Sequence, residues 1–346
     1  MFGERLKSAR KMAGYSLEEL AGKLGDITKQ AISNYENGKR KPNSDIIIKL
    51  AKIFGVKPDY FIRATLVKFE NFEYRKKSKL LKKEINAIEE KTRDYLERYF
   101  ELEQIMGLDK KFSNPLEDMQ IINGNGAELA AEKLRAEWKI GLNPIKNLIE
   151  TLEEKEVRIF DINADKKFDG LAVYSGDIPI IIINKNIEDI VRKRMTIAHE
   201  LGHILLKLKR ELNNREKEQF CFRFAGAFLI PKQVMLNELG EKRTKITLNE
   251  LEHLNEEYGI SIQALMRRAR DLEIITGKKY QSFCIRVKKE GWEKFETGKY
   301  KGEEKPVKNI NLLYRAISEE IISISKAASI SNKTISELES EIEIVL

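Results

Sequence analysis

The sequence predicts an α+β protein, mostly helical, and three observations carry the prediction. Capping residues precede apolar positions spaced by three and four over most of the chain, the period of an amphipathic helix. Strand-sized apolar runs cluster between residues 157 and 184. A seam from Leu81 to Met106 steps by four and three without a break, which is one long helix. At 346 residues the chain has room for two or three domains. Composition and turn signals divide it into residues 1–63, 64–126, 127–276 and 277–346.

Residues 1–63 read as short helices. Leu6, Ala9, Arg10 and Met12 open the first, which Gly14 ends. Ser16 with Glu19 three residues on is a capping box, and Leu17, Leu20, Ala21 and Leu24 supply the apolar face behind it. Gly25-Asp26-Ile27 turns the chain, and Thr28 caps a third helix through Gln30, Ile32 and Tyr35. A helix, a tight turn and a second helix with a polar N-terminal end is a helix-turn-helix. Its recognition helix would present Thr28, Lys29, Gln30, Ser33 and Asn34, followed by the basic loop Lys39-Arg40-Lys41. Gln and Asn can bond bidentately to adenine, whereas Thr and Lys more often hold phosphates. The net charge of +8 points the same way, because residues 1–63 hold 13 Lys and Arg against seven Asp and Glu.

Residues 64–75 alternate (Leu66, Phe69, Phe72, Tyr74) like a short strand or extended linker. The long helix follows, about 78–106, with Ile85, Ile88, Thr92, Tyr95, Tyr99 and Leu102 on its seam. Such a seam pairs with its copy in a second subunit or lies against the next domain. A helix-turn-helix that reads two half-sites needs two copies, so a homodimer is expected. This helix is the first candidate interface and the N-terminal domain the second. Residues 109–126, polar and carrying Pro115 and Gly124-Asn125-Gly126, read as a domain boundary.

The third region reads as helices at 130–138 and 144–152, strands at 157–162, 170–175 and 178–184, then the helix carrying His199. Ser175-Gly176-Asp177 is a hairpin signal. A strand beside that helix would let an extended peptide bind by strand addition. Further helices are set by Phe220–Leu229, Lys232–Leu239 and Leu248–Tyr258.

His199-Glu200-Leu201-Gly202-His203 holds two of the three histidines of the chain. Residues four apart lie on one helix face, so both imidazoles can reach one metal ion, and Glu200 can hold a proton beside it. Zinc takes imidazole nitrogen readily and keeps a position open for water in catalytic sites. Residue chemistry leaves the third ligand open among Glu218, at the mouth of an apolar helix, the rivals Glu216 and Glu211, and His253 on a polar face.

Two resemblances sharpen this reading. Ser16-Leu-Glu-Glu-Leu-Ala, Ala31-Ile-Ser-Asn-Tyr-Glu-Asn-Gly, Pro42 and Pro58-Asp59-Tyr60-Phe61 resemble the XRE, or lambda-repressor-like, family. That implies a five-helix DNA-binding domain that usually works as a dimer; the turn at Gly25-Asp26-Ile27 is one residue longer than in many members. Further on, Asp169-Gly170-Leu171-Ala172, Pro179 to Asn184, Met195 to His203, Glu218 before Phe224-Ala225, and Leu229-Ile-Pro231 look like the ImmA/IrrE metallopeptidase family. Tyr258-Gly-Ile-Ser261 with Arg268-Ala269 continues the match. The resemblance implies a zincin-like domain with Zn2+ on His199, His203 and Glu218, Glu200 as general base, and proteolysis of a repressor or partner protein, or of the chain itself. Phe222 departs from the family, which usually has Asn or Asp there, and this predicts weaker metal affinity or shifted ligands.

Residues 277–346 read as a strand at 282–287, a charged irregular stretch, and helices at 311–324 and 335–342. A packing or interaction role is expected of them. No apolar run approaches the roughly 20 residues of a membrane helix. The N-terminus has no apolar signal core. Cys221 and Cys284 are too few for a disulfide framework and suit a reducing compartment, so a cytoplasmic protein is expected. The expected partners are a double-stranded DNA operator and a protein substrate, toxin or repressor. The competing class is a non-catalytic repressor or antitoxin whose peptidase-like domain senses a ligand or a partner. An intact Glu200 favours the enzyme, and Phe222 leans toward the sensor.

Overall fold

Ser16, Thr28 and Asn43 each close the first turn of a helix with their own side chains, accepting the backbone N–H of Glu19, Ala31 and Ile46 at 3.0 to 3.2 Å. In the computed structural model, which describes residues 1–63, 67, 80–108, 111–292 and 299–342, these caps set out the N-terminal helices. They are α1 (Phe2–Met12), α2 (Leu17–Leu24), α3 (Lys29–Glu36) and α4 (Ser44–Phe54), followed by a 3-10 turn at Pro58–Ile62. The fifth helix of the expected set is thus a 3-10 segment opened by Pro58. Leu6, Leu20, Ile32, Leu50 and Phe61 form the core. Arg10 forks onto both oxygens of Glu36 at 2.6 and 2.9 Å, tying α1 to α3. A side chain at Gly3 would collide with the carbonyls of Tyr35 and Glu36, so glycine permits that approach.

The expected long helix is α5 (Lys82–Ile105). Its seam is consumed within the chain. Ile85, Ile88 and Leu96 pack over Phe160, Ile180 and Ile182, and Tyr95 stacks on Phe160 at 4.5 Å. Leu102 turns instead to Leu313 and Ala316 of the tail. Thr92, fully buried, returns its hydroxyl to the carbonyl of Ile88. Of the two readings of this seam, the structure shows the packing within the chain: the sheet and the tail supply its apolar partner. The opposite flank holds the N-terminal domain through Arg5–Glu97 at 2.5 Å, both side chains nearly inaccessible, and through Lys11–Glu90 at 3.8 Å. The alternating stretch expected at 64–75 lies, Val67 apart, outside the described residues.

Next come β1 (Gln120–Ile121), α6 (Gly124–Glu137), α7 (Leu148–Glu154), β2 (Arg158–Ile162), β3 (Gly170–Ser175), β4 (Ile178–Asn184) and α8 (Ile190–Leu205). They are followed by β5 (Lys207–Leu208), α9 (Asn214–Leu229), α10 (Lys232–Leu239), α11 (Leu248–Tyr258) and α12 (Ile262–Asp271). The main sheet has the order β2-β4-β3, with β2 parallel and β3 antiparallel to β4. Its three strands follow the expected runs, and β3 lies at the edge. The expected boundary segment does more than connect. Leu116 and Ile121 are fully buried, β1 pairs with β5, and Asn123 caps α6, which extends the helix expected at 130–138 back to Gly124. The helix expected at 144–152 begins later, at Leu148, where Asn147 caps it.

The tail holds α13 (Gly277–Glu290), α14 (Lys308–Ser318), α15 (Ile324–Ser331) and α16 (Ile335–Glu341). Two expectations are corrected here. Residues 282–287 are helical, not a strand: Thr276 caps the helix, Gly291 closes it at φ 70°, and Tyr280, Phe283 and Val287 pack at helical spacing while Ile285 stays 63% exposed. The helix expected at 311–324 breaks after Ser318, and Ser323 caps a new one. The tail reaches the second domain through Glu304. Its fully buried carboxylate pairs with Arg194 of α8 and accepts the N–H groups of Leu148 and Ile149 at 3.0 and 2.9 Å. Among the described residues no helix is long and apolar enough to cross a membrane.

Candidate metal centre and nucleic-acid interface

Asp189 starts α8 by accepting the N–H groups of Val191 and Arg192, and Ile197, Ala198, Leu201 and Leu205 anchor it in the core. At roughly 100° per residue the remaining faces follow from position. Thr196 and Glu200 face β3, where a Cβ on Gly170 would lie 2.8 Å from Thr196 Cγ2 and 3.5 Å from Glu200 Cγ. Gly202 faces α9, close against Cys221 and Phe224. His199 and His203 project between these two walls. Asn184, almost fully buried, holds the loop into β3 by donating to the carbonyls of Asp165 and Phe168 at 2.9 and 2.8 Å.

The carboxylate comes from α9. Asn213 and Glu216 form its capping box, so Glu216 is already engaged at the helix start. Glu218, two residues on, sets its oxygens 3.3 Å from His199 Nε2 and 3.7 Å from His203 Nε2, and the two Nε2 atoms lie 3.0 Å apart. All three donors fall within 4.8 Å of one another, and no other such cluster occurs among the described residues. Ligands at about 2.0–2.2 Å in a tetrahedral site stand about 3.3–3.5 Å apart, so this donor set suits zinc. Of the rivals, Glu211 is exposed beside Lys209, and His253 has a 69% exposed side chain near Glu257.

Neighbours of the histidines differ. Cys221 Sγ lies 2.9 Å from His203 Nδ1. When Nε2 serves a metal, Nδ1 carries the proton, and the sulfur is placed to accept it and fix the ring. Phe222, the noted departure, lays its ring 4.0 Å from that of His199, whose buried Nδ1 has no hydrogen-bond partner among the described residues. One histidine thus meets sulfur and the other a tilted aromatic ring. The sequence reading missed the thiol, although Cys221 is three residues past Glu218, the spacing that puts two side chains on one helix face.

On α3 the expected DNA-facing residues are surface groups. Thr28, Lys29 and Gln30 are exposed, Ser33 and Asn34 half-buried, and Lys39, Arg40 and Lys41 exposed on the following loop. Several are engaged locally: Lys29 with Glu18 at 2.7 Å, Gln30 with Asn34 at 3.4 Å, and Ser33 with Asn37 at 3.3 Å. Thr28 spends its hydroxyl on the cap, which leaves Gln30 and Asn34 as the polar pair standing on that surface.

Comparison with known proteins follows this division. Residues 6–61 match the family described as Helix-turn-helix, and residues 152–270 match the IrrE N-terminal-like domain. The chain is 43% identical over 70 residues to the SPbeta prophage-derived uncharacterized HTH-type transcriptional regulator YonR of Bacillus subtilis, covering 20% of this chain and 64% of that protein. It is 40% identical over 89 residues to the HTH-type transcriptional regulator ImmR of Bacillus subtilis, covering 25% and 65%. The match thus spans just under two thirds of either relative. The chain joins an XRE-type helix-turn-helix domain to an IrrE N-terminal-like, Peptidase M78 domain.

Proposed function

We propose that this protein is a DNA-binding transcription regulator whose second domain is a zinc-dependent endopeptidase, cleaving a repressor or partner protein, or its own chain, to switch gene expression. The observation that carries the reading is the convergence of His199, His203 and Glu218 beside Glu200 on a helix flanked by an edge strand. In this reading His199, His203 and Glu218 hold the ion. A bound zinc supplies Lewis-acid activation of water near neutral pH. Glu200 takes the proton of the attacking water on its carboxylate and returns it to the amide nitrogen that leaves. The edge of β3 offers main-chain groups to an extended peptide running past these residues. Exposed Gln30 and half-buried Asn34 would read base edges, and Lys29, Lys39, Arg40 and Lys41 would hold phosphates.

The test incubates the zinc-loaded protein with candidate repressors, with toxins and with itself, alongside Glu200→Gln. Cleavage by the wild type, lost in a variant that still holds zinc, is the expected result. Equal cleavage by Glu200→Gln would remove the general base from the account. The alternative, a non-catalytic repressor or antitoxin that senses a ligand or partner, draws on Phe222 over His199, and absence of any cleavage would favour it.

A further inference from the structure

We propose that the cavity between α9 and α12 is a specificity subsite that receives an acidic side chain of a bound polypeptide. The inference rests on the peptidase reading for its placement, since the cavity adjoins the candidate metal centre. Phe222 forms part of its wall and also lies 4.0 Å from the His199 ring, and Gln219 follows Glu218 directly. Met195, one turn before His199 on α8, completes the apolar side. A side chain entering here would come from a residue close to the peptide bond held against His199 and His203.

The volume, about 370 Å³, is at the small end of ligand sites and suits one side chain rather than a cofactor. Its chemistry is asymmetric. Met195, Phe222 and Ala264 supply apolar wall, and Arg223, Arg267 and Arg268 line the same cavity with a single lining carboxylate, Asp271. Arg268 forms a bidentate pair with buried Glu128 at 2.7 and 3.2 Å. Asp271 is shared between Arg267 at 3.3 Å and its neighbour Arg270. Among the described residues Arg223 reaches the backbone carbonyl of Asp271 at 3.3 Å and Glu128 at 3.5 Å. With Arg270 and Glu128 behind the lining counted in, four guanidinium groups stand against two carboxylates, leaving net positive charge beside the apolar wall. A glutamate matches both parts: its methylenes lie along Phe222 and Met195, and its carboxylate meets the guanidinium groups, which favour planar, bidentate acceptors. Lysine or arginine would meet like charge there.

The experiment uses the full-length zinc-loaded Glu200→Gln protein, which binds without turnover. The probes are fluorescein-labelled random heptapeptide pools, N-acetylated and C-amidated, with one central residue fixed as Glu, Leu or Lys. The Glu pool should bind about tenfold tighter than the Leu pool, the worth of a charged hydrogen bond, and the Lys pool weakest. Arg267→Glu, at a position 42% exposed and therefore compatible with folding, should reverse the order of Glu and Lys. Arg267→Gln should reduce the Glu preference without creating one for Lys. Equal binding of the three pools, tightest binding of the Leu pool, or a Glu preference untouched by both variants would overturn the subsite. A wild-type protein that cleaves no peptide would count against the peptidase reading alone, because the binding order still decides the pocket.

Discussion

On α8, His199 and His203 stand among buried side chains, with the thiol of Cys221 against one ring and Phe222 across the other. On α3, Lys29 and Gln30 are exposed, Lys29 paired with Glu18 of α2 and Gln30 with Asn34 one turn on. The difference suits what each surface is proposed to meet. An ion-binding cluster needs its donors fixed before the ion arrives, so packing and neighbouring groups hold them. A surface that meets a charged duplex needs reach and exposure, and long polar side chains bonded to one another can exchange those bonds for bases and phosphates. Both regions lean on α5, which holds the N-terminal domain on one flank and the sheet on the other.

Breaking that support gives the largest expected effect. Arg5→Ala leaves Glu97, whose carboxyl is already pushed up by burial, without its partner in the interface. A loss of about 3–5 kcal/mol is expected, seen as a lower thermal midpoint with early release of the N-terminal domain. An unchanged midpoint would mean that the two bodies are not docked as described.

The exposed face is sharpened by substitutions that leave the fold alone. Gln30→Ala should relax preference at one base position by roughly 1–3 kcal/mol. Lys39→Ala should weaken all sequences alike and lower the salt slope by about one unit. Loss of sequence preference in the lysine variant, with none in Gln30→Ala, would exchange their roles.

For the buried site, Cys221→Ala should lower zinc affinity about 10–100-fold by freeing the His203 ring, measured by competition with a chromophoric chelator. An unaltered affinity would show that the packing of α9 alone orients that ring.

How much of this contrast the sequence made legible depends on the residue. His199, Glu200 and His203 stand out as candidates because histidine is scarce and the spacing is that of one helix face. Glu218 needed the family resemblance, since Glu216 has the same chemistry and only the capping box removes it. Cys221 entered the sequence reading only as one of two cysteines too few for a disulfide framework, because nothing in one dimension shows which ring its sulfur meets. The strands of the main sheet were legible from their apolar runs, whereas 282–287 misled, because Phe283, Ile285 and Val287 alternate on paper yet only two of them pack. Glu304 gave no signal, its role depending on a helix N-terminus more than 150 residues away.

A smaller effect concerns the tail. Burial pushes the Glu153 carboxyl up to about 7, although it accepts the N–H groups of Val307 and Lys308. The folded state therefore binds this proton more tightly than the unfolded chain. The associated stability is present below about 4.5, the ordinary carboxyl range, and is lost as pH rises toward about 7. Glu153→Gln should flatten stability across that window, followed by denaturant titration at fixed pH values. A slope identical to the wild type would assign the pH dependence to other groups.

The central claim, that one ion is held between α8 and α9, is tested most directly by metal content. The full-length protein, dialysed against zinc and stripped of excess, should carry about one zinc per chain. His199→Ala and Glu218→Ala should each carry almost none while remaining folded, and His253→Ala should match the wild type. Full zinc retention by folded Glu218→Ala, or loss of zinc in His253→Ala, would contradict the ligand set proposed from this geometry.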